Sequence, residues 1–242
     1  MITIAIGLGE NENVKEAILK FQVKHKCNVI VLKNDSDLIN SINDENIDIV
    51  IRGSLSSHNI IKQIKNENVS RASYFKKDDY EFLLSPVGID EGRSLEEKYE
   101  IIKNCENFMK NLKIEPKIAI LASGRKEDYG RSKEITESIK ESEKLFNLVK
   151  ENSSAEVKNY YILIEEAIND KNNIIIAPNG IIGNILFRSF SLVNSWPSYG
   201  AITFGLNKIF IDTSRSQSVD GYLRSMNLGY KILKYRLNKI NE

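Results

Sequence analysis

The chain has 242 residues, 28% of them charged, and a formal net charge of +1. This near balance predicts no attraction to nucleic acid or to an anionic membrane surface. No apolar run reaches the roughly 20 residues of a membrane span, so no membrane segment is expected either. The start, MITIAIGLGENEN, lacks the basic residues of a signal peptide. Cys27 and Cys105 lie far apart in the sequence, without the spacing of a metal-binding pair, and are expected to be reduced thiols of a cytoplasmic protein. His25 and His58 are the two histidines, so no metal site is expected.

The first part of the chain alternates short β-branched runs with helical patterns. Such alternation is typical of parallel strands whose two faces are covered by helices. The predicted strands are 2–7, 28–32 and 47–51, and the predicted helices are 14–21, a short helix from Asp35, and 54–64.

The later part of the chain continues the alternation after a less regular stretch at 70–90. There YEFLLSPVG alternates polar and apolar residues and is predicted to pair antiparallel. A long charged helix over 94–112 leads to a predicted domain crossing near 113. The remaining predicted strands are 118–121, 174–176, 200–204 and 208–211; the predicted helices are 132–150, 160–167, 182–193 and 219–237, and ENSSAEVK (151–158) is predicted to be a loop or a frayed end.

Arginines follow the ends of several predicted strands, often beside a glycine. Ligands of open parallel sheets bind at the carboxyl ends of the strands, where the N–H groups that begin the next helices favour an anion. A guanidinium group there can bind a phosphate or a carboxylate through two hydrogen bonds. The arginines in this setting are Arg52, Arg93, Arg125, Arg131 and Arg215. We expect guanidinium groups from both halves of the chain to converge on one anion site.

The stretch FIDTSRSQSVDGYL (210–223) places one arginine among several serines between a strand and a helix. One serine is expected to cap the helix, and the others are expected to furnish hydrogen-bond donors beside Arg215. The alternative is an ordinary helix start in which Arg215 pairs with Asp212 or Asp220.

Two glycine-containing motifs are less specific. GLGEN (7–11) is half of a dinucleotide-binding fingerprint and lacks its third glycine. PVGIDEG (86–92) places Asp90 and Glu91 between glycines, which favours a strained loop. Neither motif identifies a cofactor.

Two segments near the end of the chain resemble phosphate acetyl- and butyryltransferases. They are PNGIIGNILFRSF (178–190) and GAITFGLNKIFIDTSRSQSVDGY (200–222). Three further motifs, IRGSLSS, SPVGIDEG and SGRKEDYGR, resemble the MtxX family of methanogenic archaea, which is also called methanogenesis marker protein 4 and is described as methyltransferase-related.

The resemblance implies an α/β fold with two domains of mainly parallel sheet and helices on both faces, of the isocitrate and isopropylmalate dehydrogenase type. The first domain would hold 1–112 and 214–242 and the second 113–213. The resemblance also implies a cleft between the domains and a homodimer.

In the acyltransferases the Ser-Arg pair, here Ser214 and Arg215, binds phosphate or stabilises the transition state. Their base lies seven residues after that serine, which is Gly221 here, with Asp220 one residue early. A glycine cannot take a thiol proton, and one helical position rotates a side chain by about 100°. The resemblance therefore implies anion binding more directly than acyl transfer.

The leading hypothesis is an MtxX-like, methyltransferase-related protein of methanogen C1 metabolism that binds a small phosphorylated or carboxylated ligand. The second is a phosphate acyltransferase with Asp220 as base, and the third is a non-catalytic accessory or metabolite-sensing subunit that associates with a methyltransferase. The candidate catalytic residues are Ser214, Arg215 and Asp220; the candidate ligand-binding residues are Arg52, Gly53, Ser54, Ser56, Gly124, Arg125, Arg131, Asn179, Gly183, Asn184 and Ser216.

Overall fold

The computed structural model describes residues 1–64 and 69–240, with side chains through 238. The strands are β1 (Thr3–Gly7), β2 (Asn28–Leu32), β3 (Ile49–Ile51), β4 (Ser70–Lys77), β5 (Tyr80–Ser85), β6 (Lys117–Leu121), β7 (Glu156–Tyr161), β8 (Ile174–Ile176), β9 (Ser198–Phe204) and β10 (Ile209–Asp212). The helices are α1 (Asn13–Lys24), α2 (Asp35–Asn43), α3 (Ser57–Ile64), α4 (Leu95–Asn111), α5 (Lys133–Asn152), α6 (Ile164–Asn169), α7 (Gly180–Arg188) and α8 (Val219–Ile240).

The chain divides into two compact units. Unit 1 consists of Met1–Val69 and Ser198–Glu242, and unit 2 consists of Ser70–Pro197. These boundaries differ from the predicted crossings at 113 and 213. The hairpin β4–β5 pairs with β8, which places it in unit 2, and β9 pairs with β10, which pairs with β3 of unit 1.

Unit 1 contains a sheet in the order β2-β1-β3-β10-β9. The first four strands are parallel, and β9 runs antiparallel to β10. Alternate residues of the strands face opposite sides, as the pleat requires. Ala5, Val50 and Phe210 pack with residues of α2 and α3, whereas Gly229 of α8 lies against Ile49. Helices therefore cover both faces of this sheet, as the β-branched runs predicted.

Unit 2 contains a sheet in the order β4-β5-β8-β6-β7, in which β5, β8, β6 and β7 are parallel. The predicted antiparallel pairing of 80–88 is confirmed, because β5 pairs antiparallel with β4. Helices α4 and α5 pack on each other, and α7 packs on β5. The α/β class with mostly parallel sheets is confirmed.

The prediction for 151–167 is wrong in part. Residues Glu156–Tyr161, which were assigned to a loop and to the start of a helix, form β7, and α6 begins only at Ile164. The helix predicted over 182–193 ends at Arg188 and continues as one π-helical turn, Ser189–Val193. Within the described ranges 1–64 and 69–240, no helix combines the length and the apolar character needed to cross a bilayer.

Candidate functional site

Three loops lie at the carboxyl edge of the unit 1 sheet. They are residues 8–12 after β1, 52–56 after β3 and 213–218 after β10, and they lead into α1, α3 and α8. Because β1, β3 and β10 are parallel, their ends meet at one edge, which is where ligands of open α/β sheets bind. Seven of the candidate residues are brought to this edge: Arg52, Gly53, Ser54, Ser56, Ser214, Arg215 and Ser216.

The end of β1 and the loop 52–56 touch through glycines. Gly53 has φ +63°, and a Cβ atom there would lie 1.8 Å from the carbonyl oxygen of Gly7. The Ser54 N–H donates to that same oxygen at 3.1 Å. The glycine of IRGSLSS is therefore required by the close approach of two main chains, and its role in this structure is to shape the edge.

Ser54 joins the loops through its hydroxyl group. The N–H of Gly9 donates to Ser54 Oγ at 2.8 Å, and the hydroxyl donates to the carbonyl of Asn11 at 3.1 Å. The side chain is 1% exposed, so both of these bonds are shielded from water. Ser56 lies half-buried just before α3. Ser54 thus ties the loops together, and a ligand-binding role for it stays a prediction.

Arg52 is turned toward protein acceptors. Its Nε donates to Asp212 Oδ1 and its Nη1 donates to the carbonyl of Leu55. The Arg52 and Asp212 side chains are 7% and 12% exposed. A buried ion pair between the ends of β3 and β10 engages two nitrogens of the guanidinium, so Arg52 supports the site, and a ligand-binding role for it stays a prediction.

In the loop 213–218 the serines and Arg215 have different surroundings. Ser218 caps α8, because its Oγ accepts from the N–H of Gly221 at 3.1 Å. Ser214 is half-buried, and its Oγ accepts from the N–H of Ser216 at 3.4 Å. The Arg215 side chain is exposed. Asp212, one of the two carboxylates considered as an alternative partner of Arg215, binds Arg52.

The backbone of this loop is held by three polar side chains that the sequence did not single out. The Asn11 amide donates to the carbonyls of Arg215 at 3.0 Å and Gln217 at 2.9 Å, and the Asn13 amide donates to Gln217 at 3.1 Å. The Tyr222 hydroxyl lies 2.8 Å from the Arg215 carbonyl. Burial raises the pKa of Tyr222, which keeps its hydroxyl protonated and able to donate. We call Asn11, Asn13 and Tyr222 the loop clamp.

Loss of one clamp hydroxyl is expected to destabilise the protein modestly. Tyr222→Phe should lower the free energy of unfolding by about 1 kcal/mol, the usual net value of one hydrogen bond. Asn11→Ala should cost more, since it removes hydrogen bonds to the carbonyls of both Arg215 and Gln217. The double variant should lose less than the sum, since Asn11 and Tyr222 both hold Arg215. Urea unfolding checks this, with Tyr230→Phe as control because Tyr230 contacts Phe21, His25 and Lys234 through its ring. Equal stability of the two Tyr→Phe variants would contradict the clamp.

Asp220 lies on the exposed side of the first turn of α8. Its side chain is 72% exposed, and its Oδ1 lies 4.0 Å from Lys20 Nζ. Gly221, at the position of the base implied by the resemblance, faces Gln217, whose Oε1 would lie 2.3 Å from an added Cβ. The role of Asp220 as a base stays a prediction.

In unit 2 the loop after β6 holds Gly124, Arg125 and Arg131. Gly124 packs against Ile135, whose Cγ2 would lie 2.6 Å from an added Cβ. Arg131 donates to Asp128 Oδ1 at 2.6 Å, and the N–H of Arg125 donates to Asp128 Oδ2 at 2.8 Å. These two hydrogen bonds lower the pKa of Asp128. Arg131 is therefore paired with a local carboxylate, while the Arg125 side chain is exposed.

The start of α7 is built from three further candidate residues. Asn179 caps the helix by accepting from the N–H of Ile182 at 3.0 Å, and the Asn184 amide donates to the Val87 carbonyl at 3.0 Å. A Cβ on Gly183 would lie 1.8 Å from the Pro86 carbonyl oxygen, so the helix packs tightly on the loop after β5. These contacts are structural, and the convergence of arginines from both halves of the chain stays a prediction.

The PVGIDEG loop contains a buried ion pair that was not predicted. Glu91 is 7% exposed and accepts from Arg71 Nε at 2.7 Å and from the N–H of Gly88 at 3.2 Å. Gly92 has φ +66°, which fits the predicted strained loop. Arg71 lies at the start of β4 and not after the end of a strand. The search for arginines at strand ends therefore could not identify it.

The chain is similar to proteins of several methanogens. It is 38% identical, over 93% of its own length and 96% of the relative's, to the "Uncharacterized methyltransferase MJ1371" of Methanocaldococcus jannaschii. It is 32% identical to the "Uncharacterized methyltransferase MK0941" of Methanopyrus kandleri, over 81% of this chain and 78% of the relative. It is 33% identical to mtx subunit X of Methanosarcina barkeri, over 70% of this chain and 64% of the relative. No family model matches the chain.

Among solved structures, the chain is similar to acyl-transferring enzymes and to dehydrogenases. A branched-chain phosphotransacylase from Enterococcus faecalis gives a TM-score of 0.74 at 17% identity, over 96% of this chain and 99% of that one. A phosphotransacetylase from Streptococcus pyogenes gives 0.66 at 15%, over 97% and 94%. A beta-decarboxylating dehydrogenase from Thermococcus kodakarensis gives 0.62 at 11%, over 97% and 83%. At these identities the likeness shows the fold, and it confirms the predicted fold type.

Proposed function

The chain belongs to the MtxX family, which includes the methyltransferase-named proteins of methanogens described above, and from this premise we propose that it binds a small anionic ligand in methanogen C1 metabolism. The ligand is phosphorylated or carboxylated. It binds at the edge of unit 1 where β10 ends and α8 begins. A site within a cleft between domains, as the resemblance implied, stays a prediction.

The observation that carries this proposal is the setting of Arg215. Its guanidinium is exposed, while its carbonyl is bound by Asn11 and Tyr222. The loop leads directly into α8, whose first N–H groups and positive dipole end favour an anion. Because the main chain of Arg215 is held and its side chain is exposed, the guanidinium can form two parallel hydrogen bonds to a phosphate or a carboxylate.

Ser214 and Ser216 complete the proposed site. Both flank Arg215, and their hydroxyl groups can donate to further oxygens of the ligand. Arg52 and Asp212 act one step away, because their ion pair joins the ends of β3 and β10, where the loop begins. The proposed site thus offers the ligand one cation and two hydroxyl groups.

The affinity for inorganic phosphate tests the site. We expect Arg215→Ala to weaken phosphate binding by about 1.5–3 kcal/mol, the value of a hydrogen bond to a charged group, and Arg215→Lys to recover only part of it. Isothermal titration calorimetry measures the change. Arg188→Ala is the control, since Arg188 is an exposed arginine in the last turn of α7. An Arg215→Ala affinity equal to that of the control would refute the site.

A phosphate acyltransferase is the second candidate, because a branched-chain phosphotransacylase shares the fold. In this function Asp220, exposed in the first turn of α8, takes the thiol proton of coenzyme A. Exchange between acetyl phosphate and coenzyme A separates the two functions. Turnover that Asp220→Asn abolishes favours the acyltransferase, and a folded protein without turnover removes it.

A non-catalytic accessory subunit is the third candidate, because one relative carries the name of a subunit, mtx subunit X. In this function the protein senses the ligand and associates with a methyltransferase. A homodimer in the cytoplasm belongs to the same set of proposals. Copurification from cell extract distinguishes an accessory subunit from a separate enzyme.

A further inference from the structure

Unit 2 contains a lysine at an apolar position of a helix. The buried face of α4 includes Ile101, Ile102, Cys105 and Met109, and Lys98 lies on that same face. Lys98 is 4% exposed. A lysine is almost never buried to this extent without a specific partner, because removing its charge from water is costly.

The partner of Lys98 is Glu141 of α5. Lys98 Nζ lies 2.6 Å from Glu141 Oε2, and the two side chains are 5% and 33% exposed. A buried ion pair seldom stabilises a protein more than an apolar pair of the same volume does. Stability therefore does not explain why a charged pair occupies this position between α4 and α5.

A small cavity adjoins the pair at the carboxyl ends of β6 and β8. Its volume of about 10 Å³ has room for one oxygen-sized group. The cavity walls include Lys98, Leu121, Ser138, Ser142, Ile176 and Pro178. The serine hydroxyls are already engaged, Ser138 with Ser123 and Ser142 with Ile139 and Asn159. Leu121 and Ile176 are the last residues of β6 and β8, so the cavity lies at the carboxyl edge of a parallel sheet, where ligands of such sheets bind.

The ammonium group of Lys98 has more donors than this setting uses. It carries three N–H donors, and one of them is donated to Glu141 Oε2. Lys98 is buried, whereas the Glu141 side chain is one-third exposed to solvent. We propose that Lys98 binds one oxygen of a carboxylate or phosphate group in this cavity, and that Glu141 is the internal counter-ion which this ligand displaces.

This site is independent of the Ser214–Arg215 loop, because it lies wholly within unit 2. The proposal stands if phosphate does not bind at Arg215, and it can fail while that site is correct. All measurements are therefore made in an Arg215→Ala background, which removes the unit 1 anchor.

Opposite effects of the two partners test the proposal. Glu141→Gln removes the competing carboxylate and is expected to tighten binding of inorganic phosphate or acetate about tenfold, while Lys98→Met should abolish it. Lys103→Met is the matched control, since Lys103 is an exposed lysine on the same helix. Comparison of phosphate with acetate shows which class of oxyanion the cavity takes. If Lys98 and Glu141 served only as a structural pair, neither probe would bind more tightly to Glu141→Gln.

Two further measurements do not depend on the folding of Lys98→Met. The double variant Lys98→Met/Glu141→Leu removes both charges at once and should fold without binding either anion. In the folded parent protein, the ¹⁵Nζ resonance of Lys98, identified by its absence in the double variant, should shift on addition of phosphate or acetate. A resonance that neither anion moves, or weaker binding to Glu141→Gln, overturns the proposal and leaves a water-filled structural cavity.

Discussion

Replacing Gly53 with alanine is expected to destabilise the protein by roughly 3–5 kcal/mol, from backbone strain and overpacking together. Gly53 has φ +63°, where side chains are disfavoured, and the added Cβ would meet the Gly7 carbonyl oxygen at 1.8 Å. That oxygen belongs to the end of β1 and cannot move without disturbing its pairing with β2. The clash must therefore separate the ends of β1 and β3.

Gly130→Ala is a matched control for Gly53→Ala. Gly130 also has a positive φ, +89°, but an added Cβ there meets nothing within 4 Å. Its cost is expected to be about 1–2 kcal/mol, from backbone conformation alone. Urea unfolding followed by circular dichroism compares the two variants. Similar losses in both would show that the contact between Gly53 and Gly7 relaxes easily.

Removing the Arg52 side chain is expected to lower the free energy of unfolding by about 3–5 kcal/mol, because the largely buried Asp212 carboxylate loses its counter-ion. Arg52 binds Asp212 and the Leu55 carbonyl, so Arg52→Met removes a cation and two donors. The loss is expected in unfolding free energy and also in phosphate affinity, since Asp212 immediately precedes the loop that carries Arg215.

The double variant Arg52→Met/Asp212→Asn separates charge from packing. Without the carboxylate, the missing cation matters less, so the double variant should be more stable than Arg52→Met alone. Thermal and urea unfolding of the two variants provide the comparison. A double variant that loses the sum of the two single losses would show that the ion pair contributes no coupling.

The strands that sequence periodicity predicted best are central and apolar. β6 and β8 consist of Lys117–Leu121 and Ile174–Ile176, whose β-branched residues are buried on both faces. β7 was missed because its first half places the exposed charged residues Glu156 and Lys158 around Val157. Its last two residues, Tyr160 and Tyr161, begin the stretch YYILIEEAI, whose pattern resembles a helix. β7 lies at one end of the unit 2 sheet order, where one neighbour and partial burial leave little hydrophobic pattern.

Sequence position identified strand ends but not the acceptors opposite them. Arg52 was expected to reach a ligand, and its partner Asp212 lies 160 residues away in the chain. The serine that caps α8 was foreseen because capping is local. The loop clamp was not foreseen, since Asn11 and Tyr222 meet the loop only after β1 and β10 have assembled into one sheet.

The interleaved layout of the two units has a consequence for synthesis on the ribosome. Residues 70–197 are contiguous, so unit 2 can acquire its whole sheet while later codons are still being translated. Unit 1 must wait, because β10 lies between β3 and β9 and enters the sheet only after residue 209 emerges. The nascent amino-terminal segment then carries an unpaired edge at β3 for most of elongation, and an unpaired strand edge is a template for pairing with another chain.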